Sequence, residues 1–200
     1  METEAPDAPR YRHDMTMFLT AHRALRRDLA RMTRLAEAGR TGRLGWKTLK
    51  LFLDKIPGGK RAALFPLLDK KVSDSERAVL GHFDDGWERV SAKASAVDAA
   101  LESGDGLAKA VRDLSDEAAR TLDREEEHFL TLADRHLDED EFLEVAGVYR
   151  GFIGPDIPVY LPWMLDGLDP EEAEAILGRV SEEARRSYEA EWRAAYERGK

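Results

Sequence analysis

The chain has no cysteine among its 200 residues. This absence excludes disulfides, thiolate-bound metals and cysteine nucleophiles, so any metal would need histidine and carboxylate ligands. An excess of positive charge is also missing, because the formal net charge is −9 and the pI is about 5.2. Nucleic acids require a basic face against their phosphates, so we expect no nucleic-acid partner.

Long apolar runs are absent as well. None approaches the roughly 20 residues of a membrane-spanning helix, so we expect no membrane association. The opening residues, METEAPDAPR, lack the basic and then apolar order of a signal peptide. The composition is instead 42% hydrophobic and 36% charged, which is typical of a folded, charge-rich domain. We therefore expect a cytoplasmic protein.

Four stretches place apolar residues three and four positions apart, which is the spacing of one helix face. The first covers residues 15–36, and the second begins near residue 46. The third follows a capping-box sequence at residues 73–76, and the fourth covers residues 107–132. No stretch alternates with a period of two. We therefore predict an all-α fold, an up-down four-helix bundle with a C-terminal helical extension.

Two segments rich in proline and glycine interrupt this pattern. The sequence Pro57-Gly58-Gly59 predicts a break in the second helix, which would resume at Lys60. Residues 154–163 contain three prolines and predict an extended segment across the bundle. The chain is thus divided into a flexible N-terminal arm (1–12), the bundle (13–137) and a C-terminal extension packed on it (138–200).

Polar residues occupy core positions on two of the apolar stripes. His22 lies on the first stripe, and Thr121, Glu125 and His128 lie on the fourth. A buried carboxylate has to be paired, protonated or metal-bound, so the interior is predicted to contain a polar site. Simpler interpretations stay open. A histidine on an apolar stripe is more often a satisfied core residue than a ligand, and the acidic run 125–127 is typical of a solvated face.

Several motifs make the sequence resemble the hemerythrin-like (HHE cation-binding) family, especially actinobacterial members with a C-terminal extension. Residues 18–29, around His22, are similar to the family's first histidine segment. Residues 64–68, LFPLL, are similar to the sequence after its paired histidines, and residues 124–130 to the acidic end of its HxxxE motif. Segments 159–165 and 192–196 resemble motifs of the extension. The resemblance implies a four-helix bundle that, in other members, holds two irons between histidines and bridging carboxylates.

At the positions where the resemblance places metal ligands, this sequence keeps few of them. One histidine, His22, is present, together with Glu125, or Glu126 if the register shifts by one residue. The other ligand positions fall on Ile56, Pro57, Lys60, Trp87 and Thr121. Even a catalytic zinc site usually takes three protein ligands, so we predict neither a metal nor a cofactor.

Lys60 stands where the resemblance places a bridging glutamate, and an ammonium there repels a divalent cation. If Lys60 points inward it can replace the metal and neutralise Glu125, and we predict this contact. Alternatively, the Pro-Gly-Gly sequence turns Lys60 into solvent. The glycines also remove side-chain volume, so a cavity remains unless Trp87 fills it. The segment Gly58-Gly59-Lys60-Arg61, at the start of a helix, could bind an anion.

Three functions follow as hypotheses, and we favour a metal-independent bundle that binds or transforms a small molecule in the former di-iron pocket. Whether it is an enzyme stays open. Its acid–base groups would be His22, Lys60 and Glu125. Its ligand-binding residues would be Trp87, Thr121, Ile56, Arg61 and Glu126.

Two alternatives remain at this stage. One is a metal protein for oxygen, nitric oxide or iron, with the unusual ligands His22, Glu125, His128 and either Asp84 or Asp85. The other is a non-catalytic interaction module whose C-terminal extension docks a partner or a second copy, which leaves a homodimer open.

Overall fold

The computed structural model describes residues 11–40 and 45–199, and throughout this part it contains helices and no strand. The predicted all-α class is therefore confirmed, while the predicted N-terminal arm lies almost wholly outside the described residues. None of the helices described has the length and apolar character that crossing a membrane requires. The α-helices are α1 (Thr16–Glu37), α2 (Trp46–Leu68), α3 (Asp74–Ser103), α4 (Leu107–Arg124), α5 (Leu130–His136), α6 (Glu139–Ile153), α7 (Ile157–Leu165), α8 (Pro170–Leu177), α9 (Glu182–Ser187) and α10 (Arg193–Gly199).

Short irregular helical turns join several of these helices. A π-helical turn, Glu125–Phe129, continues α4 into α5, and a second one, Tyr188–Trp192, continues α9 into α10. A 3₁₀ turn, Gly154–Asp156, joins α6 to α7. A π-helical turn inside a longer helix frequently lies at a functional site, because it changes which side chains face the interior.

The long helices bury their apolar stripes against one another. Helix α4 packs along both α1 and α3, and α2 contacts α1 and α3. Helix α6 packs along α2, and α7 contacts α1, so the C-terminal helices lie on the surface formed by the first two. The interior of the molecule is therefore enclosed by helices from both ends of the chain.

The predicted break at Pro57-Gly58-Gly59 is wrong, because α2 runs through it without interruption. A proline inside a helix removes one hydrogen bond, and here the burial of the residues around it offsets that loss.

The glycines of α2, Gly58 and Gly59, let α6 approach closely. A Cβ atom on Gly59 would lie 2.8 Å from the ring of Tyr149, and one on Gly58 would lie 3.0 Å from Phe152. Rings of α6 thus cover the glycine face.

The segment 154–163 is helical, so the predicted extended conformation is also wrong. Pro158 lies in the first turn of α7, where a missing amide breaks no helical hydrogen bond. Pro162 lies inside α7 and does remove one, but residues 160–165 are all buried. Their apolar burial stabilises a helix that local propensity disfavours.

Candidate functional site

Four side chains from four different elements meet in the interior. They are His22 of α1, Lys60 of α2, Trp87 of α3 and Glu125 of the π-helical turn, and we refer to them as the interior cluster. Each of the four is no more than 3% exposed. A fully buried lysine is rare unless it is paired, so its neighbours decide what this cluster can do.

Lys60 lies at the centre of the interior cluster. Its Nζ donates a hydrogen bond to Oε1 of Glu125 and lies 2.5 Å from Nε2 of His22. The other carboxylate oxygen of Glu125, Oε2, accepts a hydrogen bond from the indole Nε1 of Trp87 at 3.0 Å. The predicted contact between Lys60 and Glu125 is therefore present, and the alternative in which Lys60 points into solvent is wrong.

His22 is held on both sides of its ring. Its Nδ1 lies 2.7 Å from Oε1 of Glu126, and its Nε2 lies 3.1 Å from Oε1 of Glu125. Because an ionised carboxylate can only accept, Nδ1 donates to Glu126, while Nε2 faces both Glu125 and the ammonium of Lys60. Glu126 is also bound by Nη1 of Arg26 at 2.7 Å. The carboxylates of Glu125 and Glu126 thus face the cationic side chains of Lys60 and Arg26.

The pKa shifts follow from this arrangement. Burial lowers the pKa of Lys60, and the charge of Glu125 opposes that effect only in part. Burial alone would raise the pKa of Glu125, but Lys60 and His22 lower it to about 2. Glu125 is therefore ionised, whereas Lys60 holds its proton less firmly than an exposed lysine.

These residues do not fit a di-iron site. Within residues 11–40 and 45–199, no group of three or more histidine and carboxylate side chains is placed to hold a metal ion. The two groups that the resemblance retains as ligands, His22 and Glu125, both contact Lys60 instead. An ammonium between them excludes a cation by charge and by volume. Of the other ligands considered, Asp84 binds Arg61 at 2.5 Å, and Asp85 and His128 are exposed.

Three predicted ligand-binding residues have structural partners. Thr121 donates to the backbone carbonyl of Gly86 at 3.4 Å, and Ile56 is fully buried in the apolar core. Arg61 is paired with Asp84 near the surface. The predicted anion site at the start of a helix is wrong, because these residues lie inside α2, where the backbone amides bond to the preceding turn.

A groove of about 310 Å³ reaches the interior cluster from the surface between α3 and the π-helical turn. Glu125 and Thr121 line it, together with the basic side chains of Arg124, His82 and His128. Of the three predicted acid–base groups, Glu125 alone is among the residues that line this groove. His22 and Lys60 contact Glu125 but do not line the groove, so they can influence a molecule in the groove only through Glu125.

Two contacts of the interior cluster were not expected from the sequence. Trp87 is a hydrogen-bond donor to Glu125 and not merely a filler of volume, and Glu126 orients His22 rather than replacing Glu125. The spacing of the apolar stripe places Trp87 inside but does not reveal the partner of its N–H group.

No protein-family model matches the chain, and neither a curated protein nor a solved structure matches it.

Proposed function

We propose that this chain is a metal-independent, hemerythrin-like protein, in which α1 to α4 with the π-helical turn form the up-down bundle. The proposal is supported by the packing of α4 on α1 and α3 and of α2 on the same two helices. It is also supported by the origin of the interior cluster, since His22, Lys60 and Glu125 come from three of these elements and meet at one point. In this protein the ammonium of Lys60 takes the place that a metal would hold.

The function is to bind, or to transform, a small molecule in the groove beside the cluster. The observation that carries this proposal is that Glu125 belongs both to the interior cluster and to the wall of the groove. A carboxylate that is held ionised by buried neighbours and still lines an open groove is a preorganised hydrogen-bond acceptor.

The groove also indicates the class of ligand. Arg124 lies on the wall and, within the described part of the chain, makes no hydrogen bond or ion pair, and two histidines lie beside it. A small polar molecule with one anionic group and one hydrogen-bond donor suits this wall. Its anionic group would face Arg124, and its hydrogen-bond donor would face Glu125. Glu125 would contact the ligand, whereas Lys60 and His22 would fix the position and charge of Glu125.

The indole N–H of Trp87 is a direct reporter for a test, because it bonds to Glu125. We would follow its proton–nitrogen NMR signal, assigned with Trp87→Phe, while adding glycolate or inorganic phosphate in the presence of a chelator. At least one probe is expected to shift the signal saturably. Arg124→Glu should weaken the response at least tenfold, whereas Arg198→Glu, at the end of the chain, should leave it unchanged.

Two outcomes of this titration would contradict the proposal. The first is that neither probe shifts the signal of Trp87 up to saturating concentrations. The second is that the signal responds only after Fe²⁺ or Zn²⁺ is supplied in stoichiometric amount, which would favour a metal protein with unusual ligands.

A further inference from the structure

A second cavity, which shares no lining residue with the groove, lies between α1 and the C-terminal helices α6, α7 and α9. Its volume is about 190 Å³, and its wall is largely apolar, with Phe18, Ile153, Met164 and Val180 among the lining residues. A dry cavity of about 150 Å³ is enough to hold benzene. This cavity therefore has room for one aromatic ring and a short substituent.

Two tyrosine hydroxyls line the same cavity. Tyr149 and Tyr160 are both buried, and their hydroxyl oxygens lie 3.4 Å apart. In such a pair one hydroxyl donates to the other, and the second hydroxyl keeps a hydrogen with no acceptor among the described residues. A buried donor without an acceptor costs free energy. A ligand atom that accepts a hydrogen bond would remove that cost.

The cavity also carries a net positive charge where its wall meets solvent. Arg179 is engaged, because it donates to Asp14 at 2.8 Å and to the carbonyl of Ala175 at 2.7 Å. Arg150 lines the cavity, is exposed and makes no hydrogen bond or ion pair to another described residue. Its guanidinium is thus free to bind a carboxylate in a bidentate geometry.

We propose that this cavity binds a small aromatic carboxylic acid whose ring carries a hydrogen-bond acceptor. The ring lies among the apolar side chains, the carboxylate binds Arg150, and the acceptor on the ring takes the spare hydrogen of the tyrosine pair. The site is separate from the groove at Glu125, so it does not depend on the proposed function of that groove.

The test uses three matched probes in isothermal titration calorimetry. The probe 4-hydroxyphenylacetate has the ring, the acceptor and the acid, 4-hydroxyphenylethanol lacks the acid, and acetate lacks the ring. The first should bind saturably, the second at least tenfold more weakly, and acetate not measurably.

Variants locate the binding. Arg150→Gln should lower the affinity for 4-hydroxyphenylacetate at least tenfold and leave the affinity for 4-hydroxyphenylethanol unchanged. Arg34→Gln, at the far end of α1, should change neither affinity. Ala146→Phe should abolish binding by filling the cavity. Ala184→Leu, on the opposite wall, serves the same purpose if the first variant does not fold. Equal affinity for acid and alcohol in the wild type, or unchanged binding after either filling substitution, would overturn the proposal.

Discussion

At the scale of single residues, Glu125 connects the stability of the protein with its proposed chemistry. It is buried, and it stays ionised because Lys60 and His22 stabilise its charge. A buried ion pair is costly to assemble and still more costly to break, since the remaining charge is then left without a partner. A pair that contributes little net stability and still lies in the interior favours a role in specificity or function over a role in stability alone.

The lowered pKa of Glu125 predicts a loss of stability in acid. The folded-state value of about 2 lies below the ordinary value of 4.5, so the unfolded chain binds more protons between these two values. The contribution of Glu125, up to about 3 kcal/mol, should be fully present above about pH 4.5 and lost as the pH falls towards 2. The lowered pKa of Lys60 opposes this contribution at lower pH, and stability should rise with pH between its folded-state pKa and the ordinary value of 10.5.

Urea unfolding between pH 2.5 and pH 7 checks this prediction. The wild type is compared with the double variant Lys60→Met, Glu125→Gln, which keeps every other carboxylate. The wild type should lose more free energy of unfolding between pH 5 and pH 2.5 than the double variant. Parallel curves for the two proteins would show that Glu125 is not held ionised.

The sequence was sufficient to place some of these residues but not all of them. The family resemblance puts Lys60 where a bridging glutamate is expected, and the contact with Glu125 was predicted on that basis, with a solvent-facing Lys60 as the alternative. The sequence left Glu125 and Glu126 as alternatives for the single carboxylate at the site, yet both of them contact His22. A π-helical turn shifts the register locally, and nothing in the hydrophobic pattern signals such a turn.

At the scale of helices, the glycines of α2 and α6 give a matched series. Alanine at Gly59 would meet the buried ring of Tyr149 at 2.8 Å, and we expect it to destabilise by about 1–3 kcal/mol. Alanine at Gly58 would meet Phe152, which is 37% exposed and can move aside, so the cost should be smaller or absent. Alanine at Gly147 meets nothing within 4 Å and should stabilise by about 0.5–1 kcal/mol.

Thermal and urea unfolding of the three single variants checks this order. Gly147→Ala is the control for helix propensity, and Gly58→Ala is the control for the position next to Gly59. If Gly59→Ala were as stable as Gly147→Ala, the close approach of α6 to α2 would be absent in solution.

The same helices show where reasoning from local sequence fails. The apolar stripes predicted α1, α3 and α4 well, because their periodicity reflects burial on one face. The sequence predicts a break at Pro57 and an extended segment that contains Pro162, yet both prolines lie inside helices. Burial against another part of the chain stabilises these turns, and short-range propensity does not contain that information.

At the scale of the whole molecule, the C-terminal helices share a core with the first two. Trp163 of α7 is fully buried, its ring centre lies 4.4 Å from that of Phe52, and its Nε1 donates to Asp28 at 2.9 Å. Asp28 is itself buried and also binds Arg27 at 3.1 Å. The division of the chain into a bundle and an extension stays a prediction, but this contact couples their stabilities.

We therefore expect Trp163→Phe to lower the free energy of unfolding by about 1–3 kcal/mol, because Asp28 loses a buried donor. Trp192→Phe is the control, since Trp192 is only partly buried and makes no hydrogen bond to the described residues. Urea unfolding followed by far-ultraviolet circular dichroism and by fluorescence should give coincident transitions. An equal effect of both substitutions, or two separate transitions in the wild type, would contradict a shared core.

The central claim is that Lys60 and Glu125 form a direct buried pair between α2 and the π-helical turn. A double-mutant cycle tests it most directly, with Lys60→Met, Glu125→Gln and the double variant unfolded in urea with a chelator present. Each single substitution should cost about 3–5 kcal/mol, and the double variant should cost at least about 2 kcal/mol less than their sum. Additive single effects, with a coupling energy near zero, would contradict the claim.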